Sequence, residues 1–217
     1  MRRPVFLAAL ALAVCLAFVC WHTINRSSVE VFTDGKATPP EPAPLCPWRE
    51  PEADLKSFFP GATGYHTETC ILSGLRLELA DRLGRQLTGD ENGLRVNRVY
   101  QNDTALGSIL TRRVKGEYGA IELVLATDDH QCVRGLRLQR LREPETSASV
   151  LQATNWLNGF VGKRAEDAWR IGVDIPQVPA EAQQSAAAIV DGVRSLLVLL
   201  GAADQRATGK LAETHHH

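Results

Sequence analysis

Few residues in this 217-residue chain stand at spacings that do chemistry. His66 and Glu68 lie two apart in an alternating stretch, which puts both side chains on one face of a strand as metal donors, but no third donor follows nearby. Asp128-Asp129-His130 offers three more donors in a row, in the composition of a tight turn, where such residues serve the backbone. No Cys-x-x-Cys, haem-attachment or Cys/His pattern at ligand spacing occurs. Nor is there a strand-turn-helix nucleophile elbow. Neither catalysis nor a bound metal is expected. Trp156, Trp169 and Tyr118 could stack on a planar ring, and Arg140, Arg142 or Lys163 could meet an anion. Their ordinary roles are core packing for the tryptophans and a solvated strand face for the arginines.

The elements that must position these side chains follow from hydrophobic period. Glu52–Phe59 predicts a short helix ended by Pro60-Gly61, and Tyr65–Leu72 predicts a strand. Ser73 is placed to cap a helix with Leu72, Leu75, Leu79, Leu83 and Leu87 on one face, stopped at Gly89. Leu94–Tyr100, Ala105–Val114, Ala120–Thr127 and Val133–Leu141 read as strands, with Asp128–His130 as a hairpin turn and Gly135 shifting the phase of the last. Two helices close the domain. One spans Ser147–Phe160; the other spans Ala180–Leu200, with Ala186, Ile189, Val190, Val193, Leu196, Leu197 and Leu200 on one stripe and Gly201 as its stop. Residues 51–201 are thus expected to form an α+β domain, an antiparallel sheet with packed helices, and residues 202–217 a disordered tail.

The first block is of another kind. Arg2 and Arg3 precede an unbroken apolar run from Val5 to Trp21. A membrane-crossing helix needs about 20 residues, so residues 4–24 predict one transmembrane span within an anchor at 1–26. A cleaved secretory signal has the same layout. Both readings export the domain, because the arginines hold the N-terminus inside. Pro39, Pro40, Pro42, Pro44 and Pro47 make residues 27–50 a proline-rich, semi-extended linker. Outside the apolar run remain Cys46, Cys70 and Cys132, an odd number; a Cys70–Cys132 bridge is conceivable, with Cys46 free. The 24 Lys plus Arg against 25 Asp plus Glu leave no field that would recruit nucleic acid.

Four segments, taken in order, carry a resemblance. They are Phe58–Ala62 (FFPGA), Lys115–Leu138 (KGEYGAIELVLATDDHQCVRGLRL), Trp156–Lys163 (WLNGFVGK) and Gly172–Arg194 (GVDIPQVPAEAQQSAAAIVDGVR). Together the stretch from Phe58 to Arg194 resembles the FMN-binding domain of membrane redox systems: the G subunit of Rnf complexes, the C subunit of sodium-translocating NADH:quinone reductase, and NosR-like regulators. The resemblance implies an FMN-binding-like fold, a place in the periplasm on a bacterial inner membrane, and a partner that is a membrane electron-transfer complex, respiratory or photosynthetic.

The likeness breaks at the chemistry. Flavinylated members close with S-G-A-T-x-S, whose threonine takes the FMN phosphate as a phosphoester. Here the aligned residues are Pro179, Ala180, Glu181, Ala182, Gln183 and Gln184, followed by Ser185. Ala182 stands where the threonine belongs and has no oxygen to esterify; Ala180 replaces the glycine. Glu181 sets a carboxylate where a dianion would sit, and Pro179 removes an N–H donor. Gly61-Ala62-Thr63 spells part of the motif but reads as a turn. The expectation is a cofactor-free accessory or assembly subunit anchored in lipid through residues 4–24. The alternatives are non-covalent FMN in an electron-transfer protein, and a periplasmic sensor or small-ligand module.

Overall fold

The computed structural model describes Glu30–Val31 and residues 51–214. The expected membrane span, the rest of the linker, Cys46 and His215–His217 lie outside the described residues.

The alternating stretches form a continuous antiparallel meander. β1 (Glu30–Val31) is a two-residue strand on the outer edge, beside five long strands: β2 (Gly64–Ile71), β3 (Gly93–Gln101), β4 (Thr104–Lys115), β5 (Ala120–Asp128) and β6 (Val133–Leu141). The β5–β6 turn forms as its composition predicts. Asp128 Oδ1 accepts from the amides of His130 (2.9 Å) and Cys132 (2.8 Å), and Gln131 takes a left-handed φ of 62°. Between β3 and β4 the register slips after Val99, opposite Gly107, whose φ is 145°. A Cβ on Gly107 would fall 1.9 Å from the Thr127 carbonyl oxygen, so the bulge requires glycine.

The period-2 pattern gives the sheet two unequal faces. One carries most of the core: Leu94, Val96, Leu110, Ile121, Leu123, Leu125, Leu136 and Leu138 are buried there beneath the C-terminal helix. The other holds a smaller cluster, Tyr65, Val99, Ile109, Val124 and Ala126, covered at one end by Leu55 and Phe59 from α1 (Glu52–Phe58) and its C-terminal cap. That helix is pinned by a two-pronged pair in which Arg137 Nε and Nη2 donate to buried Asp54 at 2.6 and 2.8 Å. Gly135 leaves room for the Phe58 ring: an added Cβ would fall 2.4 Å from it, so the phase-shifting glycine also seats α1.

Several boundaries depart from expectation. The leucine face at residues 72–87 is buried mostly as predicted, but Ser73 caps nothing. Ser73–Leu75 is a 3-10 turn, and α2 (Arg76–Leu83) ends at Gly84, in the left-handed conformation at φ 72°. The expected Ser147–Phe160 helix is two short ones, α3 (Glu145–Leu151) and α4 (Thr154–Asn158), parted where Ala153 turns extended.

The expected disordered tail is a correction of more weight. α5 runs from Gln183 to Thr214 straight through Gly201. Glycine inside a helix costs roughly 0.5–1 kcal/mol relative to alanine. The following turn repays this: Ala202 and Ala203 are 1% and 3% exposed, and Asp204 is paired with Arg98 and accepts from Gln131 Nε2 at 2.6 Å. Gly201 also lets Gln131 approach, since a Cβ there would meet its Oε1 at 3.2 Å. Among the described residues one helix, Ala180–Ala207, is long and apolar enough to cross a membrane, yet 78% of its apolar window is buried inside this domain. It is the core helix.

The conceivable Cys70–Cys132 bridge is also corrected. β2 and β6 stand four strand intervals apart, about 19 Å at the usual spacing, whereas a disulfide needs Cα atoms within about 7 Å. Both thiols are free, and Cys132 Sγ donates to the Gly162 carbonyl at 2.9 Å.

Candidate functional site

The residues aligned with the lost flavin acceptor form the entrance to α5. Pro179 leads a 3-10 turn, Ala180–Ala182, in which the Ala182 amide donates to the Pro179 carbonyl at 3.0 Å. Three contacts hold the turn. Ser147 Oγ donates to the Glu181 carbonyl at 3.2 Å, Gln183 Nε2 donates to the Val178 carbonyl at 3.0 Å, and the Glu117 amide donates to Ser185 Oγ at 2.9 Å. Ala182 is 0% exposed and belongs to the main core. Pro179, Ala180 and Glu181 are exposed. Glu143 adds a second carboxylate here. Both its Oε1 and Ser185 Oγ crowd the space beside Gly116, where a Cβ would fall 2.4 and 3.0 Å from them, and its Oε2 is buried with no hydrogen-bond partner. The turn is kept, and its acceptor position is a closed methyl.

The other residues singled out in the sequence are scattered. Trp156 is core: its ring meets Phe160 edge-on at 5.0 Å and its Nε1 donates to the Pro176 carbonyl at 3.2 Å. Trp169 tilts against Phe160 at 6.2 Å, with Lys163 Nζ 5.6 Å over its own ring. Tyr118 is exposed on the β4–β5 hairpin. Lys163 donates to the Ala168 carbonyl, so it braces a loop beside Trp169. Thr63 Oγ1 accepts from the Asn102 amide at 2.6 Å, in keeping with a turn at Gly61–Thr63. Glu68 accepts from Arg98 Nε at 2.6 Å, and no group of three or more metal-ligating side chains gathers among the described residues.

A feature absent from the sequence reading is a cleft of about 850 Å3 where the sheet divides. β3 and β4 pair from Val96/Leu110 to Gln101/Thr104; beyond that, Gly93–Arg95 continue their ladder with β2 and Thr111–Lys115 theirs with β5. Among the described residues, Arg95, Arg112, Arg113, Lys115 and Asp90 are its charged lining, and Leu196 and Leu199 of α5 form part of its apolar lining. The only legible trace was in β4. Its middle, Gly107–Leu110, is buried on both faces, but Thr111–Lys115 carries charge on both, beside a β5 buried almost throughout.

One wall of the cleft is fixed by a buried carboxylate. Glu91 is 0% exposed and accepts from Arg85 Nη1 and Nη2 (both 2.9 Å), Arg112 Nη2 (2.6 Å), and the Thr88 amide (2.7 Å) and hydroxyl (3.0 Å). Burial works to raise its pKa. The Arg85 hydrogen bonds, the Thr88 amide and the Arg112 charge outweigh that and hold it at about 2, against an ordinary 4.5. Arg85 reaches on to Asp191 of α5 at 3.0 Å, so one network joins the turn before β3, the end of β4 and the helix. Arg112 is held through Nη2, while its buried Nε has no acceptor.

No protein-family model and no curated protein sequence matches this chain.

Proposed function

We propose that this chain is a membrane-anchored periplasmic accessory or assembly subunit of a membrane electron-transfer complex, respiratory or photosynthetic, built on an FMN-binding-like domain without covalent flavin. The observation that supports this reading most is the state of the α5 entrance. The turn survives with its hydrogen bonds, but Ala182 offers no oxygen and is sealed in the core. Glu181 sets a carboxylate next to it in the turn and Glu143 sets another beside Ser185, where a phosphate dianion would be repelled. A domain that keeps such a turn and lacks the acceptor is suited to holding partners rather than passing electrons itself. The core beneath α5 accounts for persistence of the fold without a cofactor, since each buried aliphatic side chain there contributes roughly 1.5–3 kcal/mol.

The test is co-expression of the full chain with a flavin transferase, followed by fluorescence of the denatured gel band and a visible spectrum of the purified protein. The expected result is a dark band and no flavin absorbance, with the chain co-purifying with a membrane redox complex. A fluorescent band would overturn the reading. Flavin bands in the native spectrum that are released on denaturation would replace it with the non-covalent FMN-binding alternative.

A further inference from the structure

We propose that one end of the sheet rests on the bilayer, with Ile71, Leu77 and Tyr118 in the headgroup layer of the membrane that holds the anchor. The inference rests on the anchored reading above and adds the surface through which the domain meets lipid. The tether sets the distance. The expected span ends at residue 24 and β1 begins at Glu30. Six residues at about 3.3–3.6 Å each reach no further than about 22 Å. The prolines at 39–47 follow β1 in the chain, so they do not lengthen this tether. The domain is held against the membrane.

β1 also sets the direction. It runs antiparallel to β2, with Glu30 opposite Tyr65 and Val31 opposite Gly64, so the chain arrives from the side of Ile71. Tyr65 to Ile71 is six strand steps, about 20 Å, which the tether matches. The β4–β5 hairpin shares this end. Ile71 pairs with Gly93, and Gly93 and Val114 lie three and four residues beyond the Val96/Leu110 pair on their two strands. The start of α2 is held there as well: the Leu72 amide donates to the Asn92 carbonyl at 2.7 Å, and Arg76 Nη2 donates to the Leu87 carbonyl at 2.8 Å.

Exposed side chains single out the same end. Ile71, Leu77 and Tyr118 are 59%, 83% and 59% exposed, three of the five exposed large hydrophobic side chains among the described residues. The other two, Val161 and Val173, belong to the loops after α4. At the opposite end, the turns Gln101–Thr104 and Asp128–Cys132 carry Asp103, Asp128 and Asp129 and no such side chain. Charge does not choose the lipid, because exposed Lys115 and Arg142 stand with exposed Asp90 and Glu117. Contact depends instead on the two aliphatic side chains and on tyrosine, whose ring favours the membrane–water boundary. A zwitterionic bilayer suffices.

The experiment places p-benzoyl-phenylalanine, one position at a time, at Ile71, Leu77, Tyr118 and, at the far end, Asp103. Each full chain is reconstituted into phosphatidylcholine vesicles and irradiated, and its intact mass shows whether it has gained a lipid. Lipid adducts are expected at the first three positions and not at Asp103. Leu77→Glu combined with Tyr118→Glu, both exposed, should leave the chain in the vesicles and remove most of the adduct at position 71. A carbonate wash followed by flotation distinguishes the two ways of failing. A chain washed off the vesicles refutes the anchor and this inference with it. A chain that floats but gives equal adducts at both ends, no adduct at the three positions, or links between two copies there refutes the inference alone. Undiminished adduct in the double variant does the same.

Discussion

Glu91→Gln isolates the network that ties the split sheet to its helix. The substitution preserves shape and removes the one buried carboxylate that faces Arg85 and Arg112 together. The pKa of Glu91 gives the magnitude. A displacement from 4.5 to about 2, at about 1.4 kcal/mol per pH unit, corresponds to about 3 kcal/mol. That agrees with the 3–5 kcal/mol typical of breaking one side of a buried ion pair. The sign follows from the depressed value: the stabilisation is complete above pH 4.5 and disappears as pH falls towards 2. Urea unfolding of parent and variant, followed by far-UV circular dichroism, should show a gap of about 3 kcal/mol at pH 7. The gap should narrow at pH 4 and be mostly lost at pH 2.5. A gap under 1 kcal/mol at pH 7, or one that stays constant across this range, would refute the reasoning.

Arg137→Leu should cost about 3 kcal/mol, measured by the same unfolding, because it leaves buried Asp54 without a counter-charge. Gly107→Ala should be at least as damaging despite its size, since the new methyl meets the Thr127 carbonyl and the backbone sits at φ 145°; unfolding at parent-like urea would disprove the bulge. Truncation after Gly201 should lose about 2–3 kcal/mol through the buried Ala202–Ala203 turn and the Arg98–Asp204 pair, and unchanged stability would restore the disordered-tail view. Thiol titration should find Cys70 and Cys132 both free after denaturation. In the native protein Cys70 should react slowly, because burial, with Glu68 nearby, raises its pKa.

Local pattern alone determined the order of elements and most of the core. Alternation with one phase shift at Gly135 placed Val133–Leu141 at its observed bounds, and the Ala186–Leu200 stripe is buried as read, because side-chain period is a property of the backbone conformation itself. The missing oxygen at Ala182 is equally a matter of residue type, legible once the aligned segment is in view. Helix ends were less legible: Gly201 has the residue type of a stop, but Asp204 finds Arg98 of β3, a contact 106 residues away in sequence. The thiols show the same limit, since only strand order sets Cys70 four strand intervals away from Cys132. The cleft depends wholly on tertiary structure. Arg95, Arg112, Arg113 and Lys115 show no spacing in the sequence that would bring them together. They line one cavity only because β3 and β4 part after Val96/Leu110 above two leucines of α5, and no local period records where two strands stop pairing.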